Sequence, residues 1–274
     1  MLTKTELEIL WRKYDFRPSK RWGQNFLIDK NVKANILKSL ELGTHDRVLE
    51  IGAGFGEITF SLAEMAGSVI AVEKDKKIVK ILNSASNVPD NVKLYEGDFL
   101  DFDLSRVSAG GKLVVYGNIP YYVTSPILEK LFKNISFIKR IYLVVQEEVG
   151  LRILAVPGSK RMGRLSLYTQ YHSNPRAVFK IGRRSFYPAP KVDSVFVRFD
   201  IPAVKKIKVK NETAMFGIIK KAYHNRRKTI LNSVSGKDME KNAVRETLVR
   251  SGIDPASRAE DLSLSDFARL SEEL

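Results

Sequence analysis

Residues 47–56 read R-V-L-E-I-G-A-G-F-G and constrain this chain more than any other stretch. Val48, Leu49 and Ile51 make a short apolar run rich in β-branched residues, the pattern of a buried strand. Gly52, Gly54 and Gly56 follow at once, and residues 58–63 take on helical periodicity. Strand, glycine turn and helix bring main-chain N–H groups against a nucleotide-like ligand in an open α/β sheet. The spacing is G-x-G-x-G, whereas the dinucleotide fingerprint needs G-x-G-x-x-G, and no Lys-Ser/Thr pair completes a phosphate loop. Taken alone, the motif reads equally well as a tight strand-to-helix turn. The rest of the chain decides between them.

Four further apolar runs, at 68–72, 92–95, 112–116 and 141–145, are spaced for intervening helices. That alternation predicts a mostly parallel sheet with helices on both faces. Runs 177–181 and 194–199 are joined by a Pro-rich loop with no helix, which predicts an antiparallel pair at the sheet edge. Ahead of the glycine strand, a helix over 4–16 carries Leu7, Leu10 and Trp11. Asp29 is placed to cap a second helix with Val32, Ile36, Leu37 and Leu40 as its stripe. Past residue 200 only helices are expected, at 212–225, 226–234, 243–251 and 265–273. Gly236 and Gly252 serve as stops, and Ser265 as a cap. The expected organisation is a seven-stranded α/β domain over 1–200 and a small all-helical domain over 201–274.

Composition narrows the partners. The 274 residues hold 46 Lys+Arg against 31 Asp+Glu, a formal charge of +15. Such an excess favours a polyanion, nucleic acid first, through counterion release. Zero cysteines exclude disulfides, thiolate metal sites and cysteine nucleophiles. No apolar run approaches the ~20 residues of a membrane span, and the mixed-charge start M-L-T-K-T-E-L-E is unlike a secretory signal. A cytoplasmic protein with no membrane partner and no metal is expected.

In an open α/β sheet the ligand lies outside the carboxyl ends of the strands. Four successive strand ends here offer the glycine turn, Glu73, Asp98 and Asn118. Glu73, 21 residues past Gly52, suits an acid accepting from both hydroxyls of a ribose. Asp98 suits an exocyclic amine such as adenine N6. Nothing collects a triphosphate, so S-adenosylmethionine fits this set better than ATP.

Asn118-Ile119-Pro120-Tyr121 is the most specific piece. An exocyclic base amine is a poor nucleophile because its lone pair is delocalised into the ring. A carboxamide oxygen and a nearby main-chain carbonyl can accept both N6 hydrogens and localise that pair. Pro120 fixes the backbone that presents them. Tyr121 is placed to stack on a base that has left its own stack.

With these pieces in hand the chain resembles the small-subunit ribosomal RNA adenine N6,N6-dimethyltransferases. The resemblance rests on Q-N-F-L at 24–27, L-E-I-G-A-G-F-G at 49–56, A-V-E-K-D at 71–75, E-G-D at 96–98 and N-I-P-Y at 118–121. Q-E-E-V at 146–149 and F-Y-P-A-P-K-V-D-S at 186–194 extend it in the expected order over nearly the whole chain. It implies a class I, Rossmann-like fold that uses S-adenosylmethionine. By that resemblance Asn25 and Leu27 close over the cofactor, Gly52 lies against its methionine portion, Glu73 takes the ribose and Asp98 the adenine amine. Asn118 lies between cofactor and target base, which Tyr121 and Phe186 sandwich.

The substrate implied is two adjacent adenosines in a hairpin loop near the 3′ end of small-subunit RNA. They are dimethylated late in ribosome assembly by a monomer acting on the immature subunit. The similar macrolide-resistance enzymes, which act on one large-subunit adenine, are the nearer alternative. The long P-K-V-D-S segment, R-R-K-T-I at 226–230 and R-A-E-D-L-S at 258–263 favour the former. A non-catalytic assembly factor on the same fold and a DNA adenine methyltransferase are the others. RNA contacts are expected from Arg17, Lys20 and Arg21, from Arg183, Arg184 and Lys191 in a run of five cations without an acid at 176–191, and from Lys221, Arg226, Arg227 and Lys228 within the basic 205–232 stretch.

Overall fold

The computed structural model describes residues 1–19, 21–84, 88–107, 109–235 and 240–274, with Tyr121 described by its main chain alone. The chain opens with α1 (Lys4–Lys13), β1 (Phe26–Leu27) and α2 (Lys30–Leu40). There follow β2 (Arg47–Ile51), α3 (Thr59–Met65), β3 (Ser68–Glu73), α4 (Lys76–Asn83), β4 (Val92–Glu96), β5 (Leu113–Asn118), α5 (Thr124–Lys133) and β6 (Ile138–Gln146). Next come α6 (Glu147–Ile153), α7 (Arg164–His172), β7 (Asn174–Ile181), β8 (Phe186–Tyr187) and β9 (Ser194–Asp200). The chain ends with α8 (Glu212–Ala222), α9 (Ile230–Val234), α10 (Lys241–Arg250) and α11 (Leu264–Glu273).

Seven strands form one sheet in the order β4-β3-β2-β5-β6-β9-β7. β4, β3, β2, β5 and β6 run parallel, and β9 pairs antiparallel with β6. β9 thus runs against the five parallel strands, and β7, the other strand of the expected edge pair, lies beside it. The central strands are predominantly apolar because helices cover both faces: Val48, Leu49, Val69, Ala71, Val114 and Val115 are fully buried. Asp29 caps α2, accepting from the Asn31 and Val32 amides at 3.0 and 3.1 Å. A separate two-residue ribbon, absent from the sequence reading, pairs β1 with β8 through Phe26↔Tyr187 and Leu27↔Phe186.

The chain divides into two compact units, 1–150 with 176–201, and 151–175 with 202–274. The second is helical. Its core joins Leu167 and Tyr171 of α7 to Met215 and Ile219 of α8, Leu248 of α10 and Phe267 of α11. Residues 151–175, which the sequence reading put in the α/β domain, thus pack with the C-terminal helices. Their apolar residues, with Met162 fully buried, find cover there.

Helix ends in this unit differ from the expected ones for local reasons. The first helix stops at Ala222. The expected 226–234 helix contains only Ile230–Val234, because Thr229 takes an extended conformation and its hydroxyl accepts from the Asn232 amide. The last helix is capped by Ser263 rather than Ser265, since only Ser263 has Asp266 three residues on to complete a capping box. Gly252 ends α10 with φ +69°, and Gly236 lies outside the described residues.

Candidate active site

The chain leaves β2 toward β3 and β4 on one side, and later returns to place β5 and β6 on the other. Strand order reverses between β2 and β5, which opens a crevice at their carboxyl ends. Register brings the ends level: Ile51 pairs with Val72 and with Gly117, and Glu73 with Glu96. One cleft is consequently bordered by Gly52, Glu73, Asp98 and Asn118 from four adjacent strands, together with Asn25, Leu27 and Phe186. The structure brings together every sequence-predicted cofactor residue.

Gly52 sits at φ +84°, a left-handed conformation that disfavours a side chain. Its amide donates to Val72 O at 2.8 Å, locking the turn to β3. At Gly97, φ +148°, a Cβ would meet nothing within 4 Å. The cleft is open there.

Glu73 is 7% exposed. Its Oε2 accepts from the Gly54 amide and its Oε1 from the Asp75 amide, both at 2.9 Å. Burial pushes the carboxyl above its usual range, opposed by the Asp75 and Gly54 amide hydrogen bonds. Each oxygen keeps lone-pair capacity for one more donor, the requirement for two vicinal ribose hydroxyls. Asp98 accepts from the Leu100 amide at 2.9 Å through Oδ1 and pairs through Oδ2 with Lys74 Nζ at 2.5 Å. Burial works to raise its carboxyl, but Lys74 and the Leu100 amide outweigh that and hold it below the ordinary value.

Asn118 closes β5, and its Nδ2 donates to the main-chain oxygen of Asn25 at 3.3 Å. That bond orients the amide so that Oδ1 is the end presented as an acceptor. Asn25 in turn donates Nδ2 to Gly23 O at 2.9 Å. Gly23, at φ +58°, lies against Pro120, so close that a Cβ would stand 3.2 Å from the proline's own. Leu27 and Phe186, paired across the ribbon, are 8% and 3% exposed. Phe186 borders the cleft from within a packed wall. The Tyr121 side chain lies outside the described residues.

Sequence reasoning passed over four cleft residues. Glu50, in the middle of β2, is 1% exposed, and its Oε2 is buried with no hydrogen-bond partner among the described residues. Burial pushes its carboxyl up to about 8, aided by the Glu73 charge. An acid inside V-L-E-I was the available signal. Gln24 staples the basic loop to the sheet: its Oε1 accepts from the Ser19 amide at 2.7 Å, and its Nε2 donates to Asp75 at 2.8 Å. Lys74 and Trp22 complete the lining.

The basic residues divide. Arg17, Arg21, Arg183, Arg184 and Lys191 are exposed in the α/β unit, and Lys221, Arg227 and Lys228 in the helical unit. Arg183 also braces its own loop, donating to Lys191 O at 3.1 Å. Arg226, exposed like its neighbours, is also engaged within its unit, donating to Lys160 O at 2.6 Å and Met162 O at 3.0 Å and pairing with Glu260 at 3.2 Å. Lys20 lies outside the described residues.

A sheet of this order, with a glycine turn and carboxylates at successive parallel strand ends, defines a class I methyltransferase fold. The residues at the cleft fit S-adenosylmethionine on structural grounds: a bidentate acceptor at Glu73, an acid at Asp98, open space at Gly97 and an orphaned oxygen on Glu50. The chain belongs to the ribosomal RNA adenine dimethylase family, whose sequence pattern it matches over residues 16–274.

It is 41% identical over 266 residues to ribosomal RNA small subunit methyltransferase A of Moorella thermoacetica, covering 94% of this chain and 92% of that one. The same-named protein of Alkaliphilus oremlandii is 39% identical over 269 residues, with 96% and 94% covered. Among solved structures, the dimethyladenosine transferase of Plasmodium falciparum superposes with a TM-score of 0.76 at 24% identity, covering 89% and 95% of the two chains. The 23S rRNA methyltransferase ErmE gives 0.71 at 26% identity, with 91% and 99% covered. The fold expected from the sequence is the fold observed.

Proposed function

We propose that this protein dimethylates the N6 amines of two adjacent adenosines in the 3′-terminal hairpin loop of small-subunit ribosomal RNA. It acts as a monomer in the cytoplasm, on the immature small subunit, late in assembly. S-Adenosylmethionine supplies an electrophilic methyl on a sulfonium centre. Glu73 holds the ribose hydroxyls and Asp98 the adenine amine, with Gly52 against the methionine end and Asn25 and Leu27 closing over the top.

Asn118 and a neighbouring carbonyl accept the N6 hydrogens of the target base, localising its lone pair. Tyr121 and Phe186 hold the extruded adenine by stacking, a contribution of ~1–3 kcal/mol per base. No side chain must protonate a leaving group, because a sulfonium departs as a neutral thioether. Positioning supplies most of the rate. Arg17, Lys20, Arg21, Arg183, Arg184, Lys191, Lys221, Arg227 and Lys228 are the cations assigned to RNA, and the helical unit is assigned to substrate binding.

One observation carries the reading. Asn118, oriented by Asn25, ends the strand beside the glycine turn in a chain that belongs to the adenine dimethylase family. A pure binding protein has no need to localise an amine lone pair, which disfavours the assembly-factor alternative. The small-subunit relatives, at 41% and 39% identity over nearly full length, favour that RNA over the large-subunit one.

The test uses labelled S-adenosylmethionine with separated small and large subunits from cells lacking the modification, followed by nucleoside identification and primer extension. Dimethyladenosine at two adjacent small-subunit positions is expected. Label on a single large-subunit adenine would move the protein to the resistance-type reaction. No label on either would favour the assembly factor.

A further inference from the structure

The ribbon β1–β8 carries Phe186, one wall of the proposed base site, and Leu27, proposed to close over the cofactor, yet it has only two residues in each strand. Two-stranded pairings are marginal even at ordinary strand lengths. Leu27 on one strand and Phe186 on the other face each other across it, and Asn25 precedes it directly. Something outside the ribbon must hold it.

That support is α1. The Trp11 indole lies flat on the Tyr187 ring, with centroids 5.2 Å apart and planes at 9°. Tyr187 Oη donates to Glu8 Oε1 at 2.6 Å, and Lys4 Nζ sits 5.0 Å from the centre of the same ring. Trp11 also meets Phe26, the ribbon partner of Tyr187, at 6.0 Å. One turn earlier, Leu7 is 1% exposed and borders the cleft itself. The helix is fixed at its start by a capping box between Thr3 and Glu6.

Three residues of one helix thus grip Tyr187, the residue next to Phe186. The match to the family's sequence pattern begins at residue 16, after α1.

We infer that α1 is a clamp for the target-base wall, with Trp11 and Glu8 as positioning residues that act on Phe186 through Tyr187. The inference rests on the adenine-stacking role of Phe186 proposed above. The clamp is read on the base side: Gly52, Glu73 and Asp98, the residues proposed to grip the cofactor's methionine end, ribose and adenine, sit at the ends of the central strands, and only Leu27, proposed to close over it, lies on the ribbon itself.

The indole N–H makes the claim testable. The Trp11 Nε1 is buried with no partner among the described residues, so the position uses the ring and not the N–H. Phenylalanine should therefore substitute for it, and alanine should not.

The experiment compares Trp11→Ala, Trp11→Phe and Phe186→Ala in the full chain. It reads S-adenosylhomocysteine affinity by calorimetry and kcat on unmodified small subunits at saturating substrates. Trp11→Ala is expected to lower kcat about tenfold or more while cofactor affinity stays within about threefold, and Trp11→Phe to restore kcat. A kcat for Trp11→Ala within about twofold of the parent overturns the clamp, as does a parallel loss of cofactor affinity that Trp11→Phe does not recover. Phe186→Ala separates the two ideas. If it turns over normally, the stacking role itself fails. If it is slow while Trp11→Ala is fast, only the clamp does.

Discussion

Asn118 and Asn25, 93 residues apart in sequence, are joined by a 3.3 Å hydrogen bond from the Asn118 amide nitrogen to the Asn25 main-chain oxygen. The bond ties the end of β5 to the segment that precedes the ribbon. It also fixes which end of the Asn118 amide is the acceptor. The proposed cofactor closure and the proposed base activation therefore share one contact. A change at either residue is felt at the other.

Asn118→Ala removes the acceptor for the adenine amine and leaves the strand intact. Single-turnover methyl transfer should fall by about 10²-fold or more, in the range seen when a transition-state hydrogen-bond partner is deleted. RNA affinity by filter binding should stay nearly unchanged. Activity surviving within a few-fold would sink the proposed role of this side chain.

Glu73→Ala should act on binding. It deletes both acceptors proposed for the ribose and strands the Gly54 and Asp75 amides. A hydrogen bond to a charged group contributes roughly 1.5–3 kcal/mol, and buried orphan donors add to the loss. Calorimetry should show S-adenosylhomocysteine affinity down by about 10²-fold or more. An unchanged dissociation constant would place the ribose elsewhere.

The parallel sheet was legible because its strands are buried on both faces and so appear as unbroken apolar runs, such as L-V-V-Y at 113–116. The cleft residues were legible because strand ends in such a sheet must converge. What escaped was held by tertiary contacts. The ribbon is two residues long, too short for any periodicity, and its Phe26 and Tyr187 meet Trp11 of α1 across the chain. The α7 segment shows little amphipathic pattern, and Tyr171 and Leu167 share their core with Met215 of α8 and with the helices beyond it, distant in sequence. Arg226 looked like one more cation in R-R-K until its guanidinium proved to be engaged by the main-chain oxygens of 160 and 162. Sequence composition assigns charge to a stretch, but not each cation to solvent or to its own fold.

Glu50 predicts a pH dependence. Its carboxyl stays protonated up to about 8 in the folded chain, against 4.5 when unperturbed. Below 4.5 both states hold the proton and the contribution of the neutral buried carboxyl is fully present. Between 4.5 and about 8 the unfolded chain alone ionises, so stability falls as pH rises. Above about 8 the contribution is gone. Glu50→Gln lacks this term. Urea unfolding of the cofactor-free protein should therefore show the parent losing stability relative to Glu50→Gln as pH rises through that window, by up to ~1.4 kcal/mol per pH unit. A difference that is flat from pH 5 to pH 8 would mean that Glu50 is ionised in the folded state.

Arg226 and Arg227 are adjacent cations with opposite expected roles. Arg226 ties the 160–162 loop to α8's trailing turn and to Glu260. Arg227 is exposed. Arg226→Ala should lower the melting temperature and leave the salt dependence of RNA binding nearly intact. Arg227→Ala should leave the melting temperature unchanged and reduce the slope of log K against log salt by about one, the signature of a lost phosphate contact. Differential scanning fluorimetry and salt titrations of RNA binding separate the two. If both variants shift the salt slope equally, the engagement of Arg226 inside its own unit does not withhold it from RNA.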